Sequence, residues 1–274
     1  MNKLFALMLF FYTLSTLWYL AYILFQKNYL HETAQYHLII GFVCHTIILC
    51  VNTYNFGYLP IHNLHETLSI TGWCIAAVFL VFQFKFNIKV MGALVAPLAT
   101  MTMIISSLLP GEVTIQIGEL FKSTWLTVHI ISTFMGNGAF ALACAAGIFY
   151  LAQEKAIKKK KRGFFYKRLP PLELLDNFGY ACVAAGFPML TIGIMTGCVY
   201  AQIVWKSYWS WDPKEVWSVI TWLLYAALLH GRITSGWRGK RTAIMSIIGF
   251  LILLFTFFGV NFFLKGHHEP FTKI

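Results

Sequence analysis

Apolar runs long enough to cross a bilayer recur from one end of this chain of 274 residues to the other. A transmembrane helix needs about 20 consecutive apolar residues. Such runs lie near 4–25, 37–54, 67–84, 88–108, 123–152, 179–203, 214–233 and 242–264. A backbone inside hydrocarbon must satisfy its own hydrogen bonds, so only helices and closed barrels span. Barrel strands alternate apolar and polar residues, whereas these runs are continuously apolar. The predicted fold class is therefore all-α: a polytopic integral membrane helical bundle of about eight transmembrane helices, forming one membrane domain over 1–274. Charged residues make up 11% of the chain, against about 25% in soluble proteins, and no stretch remains for a separate soluble domain. The first run is too long for the apolar core of a secretory signal and lacks a small-x-small cleavage site, so it reads as a retained helix.

The net charge is +11. In a soluble protein that would point to nucleic acid; here the basic residues sit in short loops, so no nucleic-acid partner is expected and the lipid bilayer is the natural one. The connection 153–178 carries Lys158-Lys159-Lys160-Lys161-Arg162 and Lys167-Arg168, then Pro170-Pro171 and a Leu-Glu-Leu-Leu-Asp stretch read as a short interfacial helix. Positive loops stay in the cytoplasm. Alternation then puts Lys85 and Lys89, and Arg232, Arg238, Lys240 and Arg241, on that same side. Both termini and the segment 205–217 fall on the outer face. The six cysteines lie inside apolar runs with no Cys-x-x-Cys, so they read as small buried hydrophobes. That pattern excludes a thiol–disulfide relay, and without Cys-x-x-Cys-His the chain is not itself a cytochrome c.

Segment 205–217 holds Trp205, Tyr208, Trp209, Trp211 and Trp217 around Asp212-Pro213-Lys214-Glu215. Aspartate as cap, proline at the first helical position and glutamate two residues later spell a helix start. The helix continues through Trp222 to His230. An interfacial aromatic belt accounts for about one or two tryptophans per helix end, but not for this density; the segment suits a large flat ligand.

Imidazole is a common axial ligand of heme iron, and a polar group inside a span is a functional hypothesis by default. His129 lies near the outer end of the fifth run, and His267 and His268 lie just past the last. An aromatic floor flanked by a histidine on each side describes a bis-histidine heme site; a hydrogen-bonded interfacial histidine and a solvated tail residue are the alternatives. His230 lies seventeen residues beyond Pro213, on the order of 25 Å along a helix, so it cannot share that iron. It is either a satisfied neighbour of Arg232 or a ligand in a second, inner site. His37 and His45 read as structural, His31 as a loop residue, and Asn63 with Glu66 as an outer helix start.

The stretch Trp209-Ser-Trp211-Asp212-Pro213-Lys214-Glu215-Val-Trp217-Ser-Val-Ile-Thr-Trp222 resembles the WWD signature of heme-handling membrane proteins. Within that superfamily the chain resembles the CcsA/ResC family of cytochrome c biogenesis, called System II. Further matches are Leu229-His230-Gly-Arg232, Gly236-Trp237-Arg238-Gly239, Gly259-Val260-Asn261 with Gly266 and His268, and an early Pro60, Asn63 and Glu66. The resemblance implies a subunit of a holocytochrome c synthase that carries heme b outward with a ResB/CcsB-like partner. It would present the heme to apocytochrome c, whose Cys-x-x-Cys-His thiols are the nucleophiles. It implies His129 and His268 as outer iron ligands and His230 as the inner one. Trp205, Trp209, Trp211, Asp212, Trp217 and Trp222 fall in the heme platform. The setting implied is a bacterial inner membrane or a thylakoid-type membrane. Two departures stand out: Lys206 replaces a glycine usual after the first tryptophan, and His267 replaces a leucine, leaving open which neighbour binds iron. Heme delivery to a soluble carrier, as in the CcmC branch, and a HemX-like regulator or assembly factor are the competing functions.

Overall fold

The structure, a computed structural model, describes residues 2–109, 119–160 and 163–264. His267 and His268, with the proposed second outer ligand, lie outside the described residues. Ten α-helices are described: α1 (Asn2–Phe25), α2 (Asn28–Phe56), α3 (Leu64–Phe86), α4 (Gly92–Leu108), α5 (Thr124–Lys158), α6 (Phe164–Arg168), α7 (Leu172–Trp205), α8 (Pro213–Thr234), α9 (Lys240–Leu254) and α10 (Val260–Phe263). A π-helical segment, Phe255–Gly259, joins α9 to α10. Eight helical stretches are long and apolar enough to cross a membrane, and the protein is an integral membrane protein.

Several helices overrun the apolar runs that announce them. α5 extends to Lys158 and α7 begins at Leu172, so much of 153–178 is helix, and the Leu-Glu-Leu-Leu-Asp stretch is the start of α7 rather than a separate interfacial helix. Hydropathy marks where lipid is, not where a helix stops. Past residue 152, good helix formers and a Glu154–Lys158 pair at 2.7 Å carry α5 onward. Pro170-Pro171 ends one helix and pre-sets the start of the next. α2 likewise starts at Asn28. His31 is therefore helical rather than in a loop. Its buried ring lies between Tyr19 and Tyr22, and its Nε2 accepts from Gln83 at 2.9 Å.

α5 and α7 run antiparallel as the central pair. α3 and α9 pack on α5, and α8 packs on α7 and α9. α1, with α2 and α4, forms a second group joined to the first through α3. With no hydrophobic force between helices inside lipid, close association depends on small residues at the contact. Gly136 on α5 and Gly186 on α7 face each other so closely that a Cβ on either would stand 3.0–3.1 Å from the other's carbonyl oxygen. Phe140 of α5 and Tyr225 of α8 stack with ring centres 3.6 Å apart. The cysteines divide: Cys74, Cys144 and Cys182 are buried as expected, but Cys50 is exposed on α2, and Cys44 and Cys198 are intermediate.

His45 is fully buried, with Tyr12 Oη at 3.3 Å from Nδ1 and Ser69 Oγ at 3.0 Å from Nε2. Both ring nitrogens are occupied, which makes it a structural tie between α1, α2 and α3. His37 bonds the Thr33 carbonyl of its own helix at 2.6 Å.

Candidate functional site

The chain reverses direction at one end of the bundle in a way that leaves a cavity of about 250 Å³. Its wall is built from the start of α3, the first half of α5, the second half of α7, the start of α8, the end of α9 and the π-helical segment. The lining is mostly apolar and aromatic, with Phe121, Phe134, Tyr200, Trp205, Trp209 and Phe257. A few polar groups enter it: His129, Thr133, Asn137, Lys214, Glu215 and Ser218.

His129 is half-buried on the first turns of α5. Its Nδ1 lies 2.7 Å from the Gly193 carbonyl of α7. A carbonyl only accepts, so Nδ1 carries the proton and donates, and the ring lone pair resides on Nε2. The approach is permitted by glycine. A Cβ at Gly197 would lie 2.7 Å from His129 Nδ1, and one at Gly193 would lie 2.2 Å from Thr133 Oγ1. His129 and Thr133 are four apart on α5, as are Gly193 and Gly197 on α7, so two side chains of one helix seat in a groove of the other.

The Trp-rich segment turns back over this groove. α7 ends at Trp205, and Lys206 caps it with φ +59°; Trp211 has φ +58°. Both are left-handed positions, where glycine is the favoured residue. This is the physical reason a glycine suits position 206, and Lys206 meets the requirement at a conformational cost. The helix start beyond it is a full capping box. Asp212 Oδ1 accepts from the Lys214 amide at 2.8 Å, and Glu215 Oε2 accepts from the Asp212 amide at 3.1 Å. Glu215 also accepts from the Ser210 amide at 2.9 Å and, through Oε1, from Ser210 Oγ at 3.1 Å. The acids of the Asp-Pro-Lys-Glu start hold the backbone of the lead-in.

The structure brings together only some of the predicted site residues. His129, Trp205 and Trp209 share the cavity wall. Trp211 meets Trp209 edge to face at 5.8 Å but is 77% exposed. Asp212 is buried as the cap. Trp217 packs on Phe255 at 4.6 Å, and Trp222 stacks on Phe187 while its indole N–H donates to Thr191 Oγ1 at 2.9 Å. Neither lines the cavity; both pin α8 to its neighbours. Sequence reasoning passed over Thr133, Asn137 and the Gly193/Gly197 pair. The four-residue glycine spacing on an apolar run was the available signal.

His230 is exposed at the other end of α8, away from the cavity. Its neighbours form a closed polar knot. Arg232 Nη1 pairs with Asp176 Oδ2 of α7, with both side chains buried. Asp176 Oδ1 accepts from the Gly239 amide at 2.8 Å and from Thr242 Oγ1 at 2.9 Å. The guanidinium also lies over Tyr180 at 4.9 Å. Gly231 makes room for Trp237, whose ring a Cβ would meet at 2.5 Å. The Gly, Trp and Arg residues around His230 thus serve packing.

At the cavity's edge, Asn63 caps α3 by accepting from the Glu66 amide at 2.8 Å, as its helix-start reading expects. Glu66 Oε2 accepts from His62 Nδ1 at 2.8 Å. Tyr58 lies against the His62 ring at 5.2 Å. Burial, helped by the Glu66 carboxylate, holds the Tyr58 hydroxyl above its ordinary pKa.

The family described as cytochrome c assembly protein matches residues 61–268. Over 242 residues the chain is 36% identical to the cytochrome c biogenesis protein CcsA of Guillardia theta, covering 82% of this chain and 80% of that one. It is 31% identical over 274 residues to the protein of the same description from Microcystis aeruginosa, covering 83% and 84%. Among solved structures, the cytochrome c heme lyase CcmF superposes with a TM-score of 0.61 at 17% identity, over 98% of this chain and 48% of that one. That likeness is one of fold, and this chain spans about half of that protein's length. The match over 61–268 takes in every wall of the cavity, and the chain belongs to the cytochrome c assembly protein family.

Proposed function

We propose that this chain binds heme b in the cavity and presents it for covalent attachment to apocytochrome c. The observation that carries this reading is the oriented imidazole of His129 on the wall of an aromatic cavity. Histidines that ligate metal commonly donate their other ring N–H to a carbonyl or carboxylate, which fixes the tautomer and raises basicity. The Gly193 carbonyl does this for His129. In this reading Nε2 takes one face of the iron, and His268, or its neighbour His267, takes the other. Trp205 and Trp209 supply an apolar wall, with Trp211 at the rim toward the incoming polypeptide.

The chain contributes position rather than a nucleophile. Each Cys-x-x-Cys-His thiol adds across a vinyl group of the porphyrin: a sulfur–carbon bond forms, the proton goes to the other vinyl carbon, and no net oxidation occurs. Holding both reactants in register replaces a bimolecular encounter by a local one. The cavity end faces the outer side in this proposal, and the lysine-rich end of α5 faces the cytoplasm. His230, at that inner end, receives heme beside a second iron ligand supplied by a ResB/CcsB-like partner. The membrane is a bacterial inner membrane or a thylakoid-type membrane.

The test is the visible spectrum of the purified protein, with and without such a partner. His129→Ala and His268→Ala are each expected to shift or abolish the heme bands and to stop holocytochrome formation. His230→Ala is expected to lower heme content with the outer ligands intact. A double variant at 129 and 268 that retained an unchanged heme spectrum and still matured cytochrome would overturn the outer site. Normal heme content after His230→Ala would remove the inner one.

A further inference from the structure

We propose that Lys214 anchors a carboxylate of the bound porphyrin, and so fixes which edge of the macrocycle faces the start of α8. The inference rests on the reading of the cavity as a porphyrin site and adds its orientation.

Lys214 stands on the cavity wall with Trp209, Glu215 and Ser218. It is half-buried in a lining dominated by apolar groups. Among the described residues its ammonium makes no hydrogen bond and no salt bridge. The carboxylates beside it are committed elsewhere. Both oxygens of Glu215 receive donors from Ser210 and Asp212, and Asp212 Oδ1 receives the Lys214 amide. Asp212 remains near enough to attract the ammonium through space, but its Oδ1 caps the helix and no salt bridge joins it to Lys214. A cation in an apolar wall is costly to desolvate unless something pairs with it. Among the described residues, the Lys214 ammonium thus has a through-space neighbour in Asp212 but no hydrogen-bonded partner.

Protoporphyrin supplies that partner. Its outline is amphipathic: two carboxylates on one edge, with vinyl and methyl groups around the rest. A carboxylate meeting Lys214 forms a charge-assisted hydrogen bond in a partly dry site. The carboxylate edge then lies toward Lys214 and the vinyl edge is turned from it, while His129, on another wall, addresses the iron. An ammonium is a compact point charge, whereas a guanidinium is a broad planar fork, so arginine at this place restores charge but not fit.

The experiment titrates the purified full chain with iron protoporphyrin IX and with its dimethyl ester, which lacks the carboxylate charges. Wild type, Lys214→Gln, Lys214→Arg and His129→Ala are compared. Wild type is expected to prefer the diacid by about tenfold or more. Lys214→Gln is expected to lose most of that preference while keeping the imidazole-ligated visible spectrum, and Lys214→Arg to regain part of it. An undiminished preference in Lys214→Gln overturns the anchor and leaves the porphyrin reading standing. If His129→Ala leaves the spectrum unaltered, or if wild type binds neither compound, the porphyrin reading fails and the anchor falls with it. A Lys214→Gln protein that does not fold is replaced by Lys214→Arg alone, whose unchanged acid-to-ester ratio and unchanged affinity would count against the fitted contact.

Discussion

The connections at the two ends of α8 solve the same backbone problem with different residues. Between α8 and α9 the left-handed positions are Gly236 and Gly239, with φ +63° and +70°. Between α7 and α8 they are Lys206 and Trp211, with φ +59° and +58°. The first connection sits on a knot in which Asp176 is satisfied by Arg232, Gly239 and Thr242. The second borders a cavity in which, among the described residues, the Lys214 ammonium makes no hydrogen bond or salt bridge. Strain and unmatched charge gather at one end, and relaxed geometry and matched charge at the other. That is the division expected when one end performs chemistry and the other holds the helices in place.

The largest effect should come from cutting the knot. Asp176→Ala leaves a buried guanidinium without its anion, and loss of one partner of such a pair costs about 3–5 kcal/mol. Thermal unfolding in detergent should place this variant below any single substitution at Gly197, Lys206 or Gly239. An unchanged midpoint would mean that the knot is solvated and that the contrast between the two ends is false.

Glycine-to-alanine changes at each end sharpen the same contrast. At Gly239 a Cβ meets Tyr150 Oη at 2.6 Å from a positive φ, and a strained position of this kind costs about 1–3 kcal/mol. The loss should appear in stability. Gly197→Ala gains up to about 1 kcal/mol of helix propensity but pushes on the His129 ring at 2.7 Å. Its stability should barely move, while heme affinity falls by about tenfold, roughly 1.4 kcal/mol. A Gly197→Ala protein that binds heme as wild type does, but unfolds earlier, would reverse the assignment of roles.

The smallest effect is a gain. Lys206→Gly removes a left-handed side-chain cost of about 1–2 kcal/mol and loses the Lys206 Nζ bond to the Ile203 carbonyl at 3.2 Å. The net change should be a rise in unfolding midpoint corresponding to about 1 kcal/mol or less. A fall would show that the lysine's own hydrogen bond outweighs the strain.

Much of this was legible in the residues, and what was not has a physical cause. The spans are set by lipid thickness, which a sequence states directly as runs of apolar residues. Helix ends beyond the lipid obey capping and propensity instead, so α5 and α7 run past their apolar runs to Lys158 and from Leu172. The capping box at Asp212 and Glu215 is local and could be read from spacing. The Asp176–Arg232 pair joins residues 56 apart, and no local pattern announces it; Asp176 looked like part of a surface stretch. His129 stood out because a polar group in a span is conspicuous. The groove that seats it did not, because Gly193 and Gly197 acquire meaning only when the facing helix is known. Trp217 and Trp222 belonged to the right segment, but the turn of α8 points them to Phe255 and Phe187 instead of the cavity.

The π-helical segment Phe255–Gly259 has a consequence for how this molecule tolerates change. A wider turn accommodates about one residue more than the α-helical ladder requires, and each residue of an α-helix accounts for about 100° of rotation about the axis. Removing one residue there would let the ladder close without a gap, at little cost to the bilayer crossing. Residues downstream would then keep nearly the azimuth they hold now, so the wide turn acts as a spacer that absorbs an extra residue without redirecting the helix.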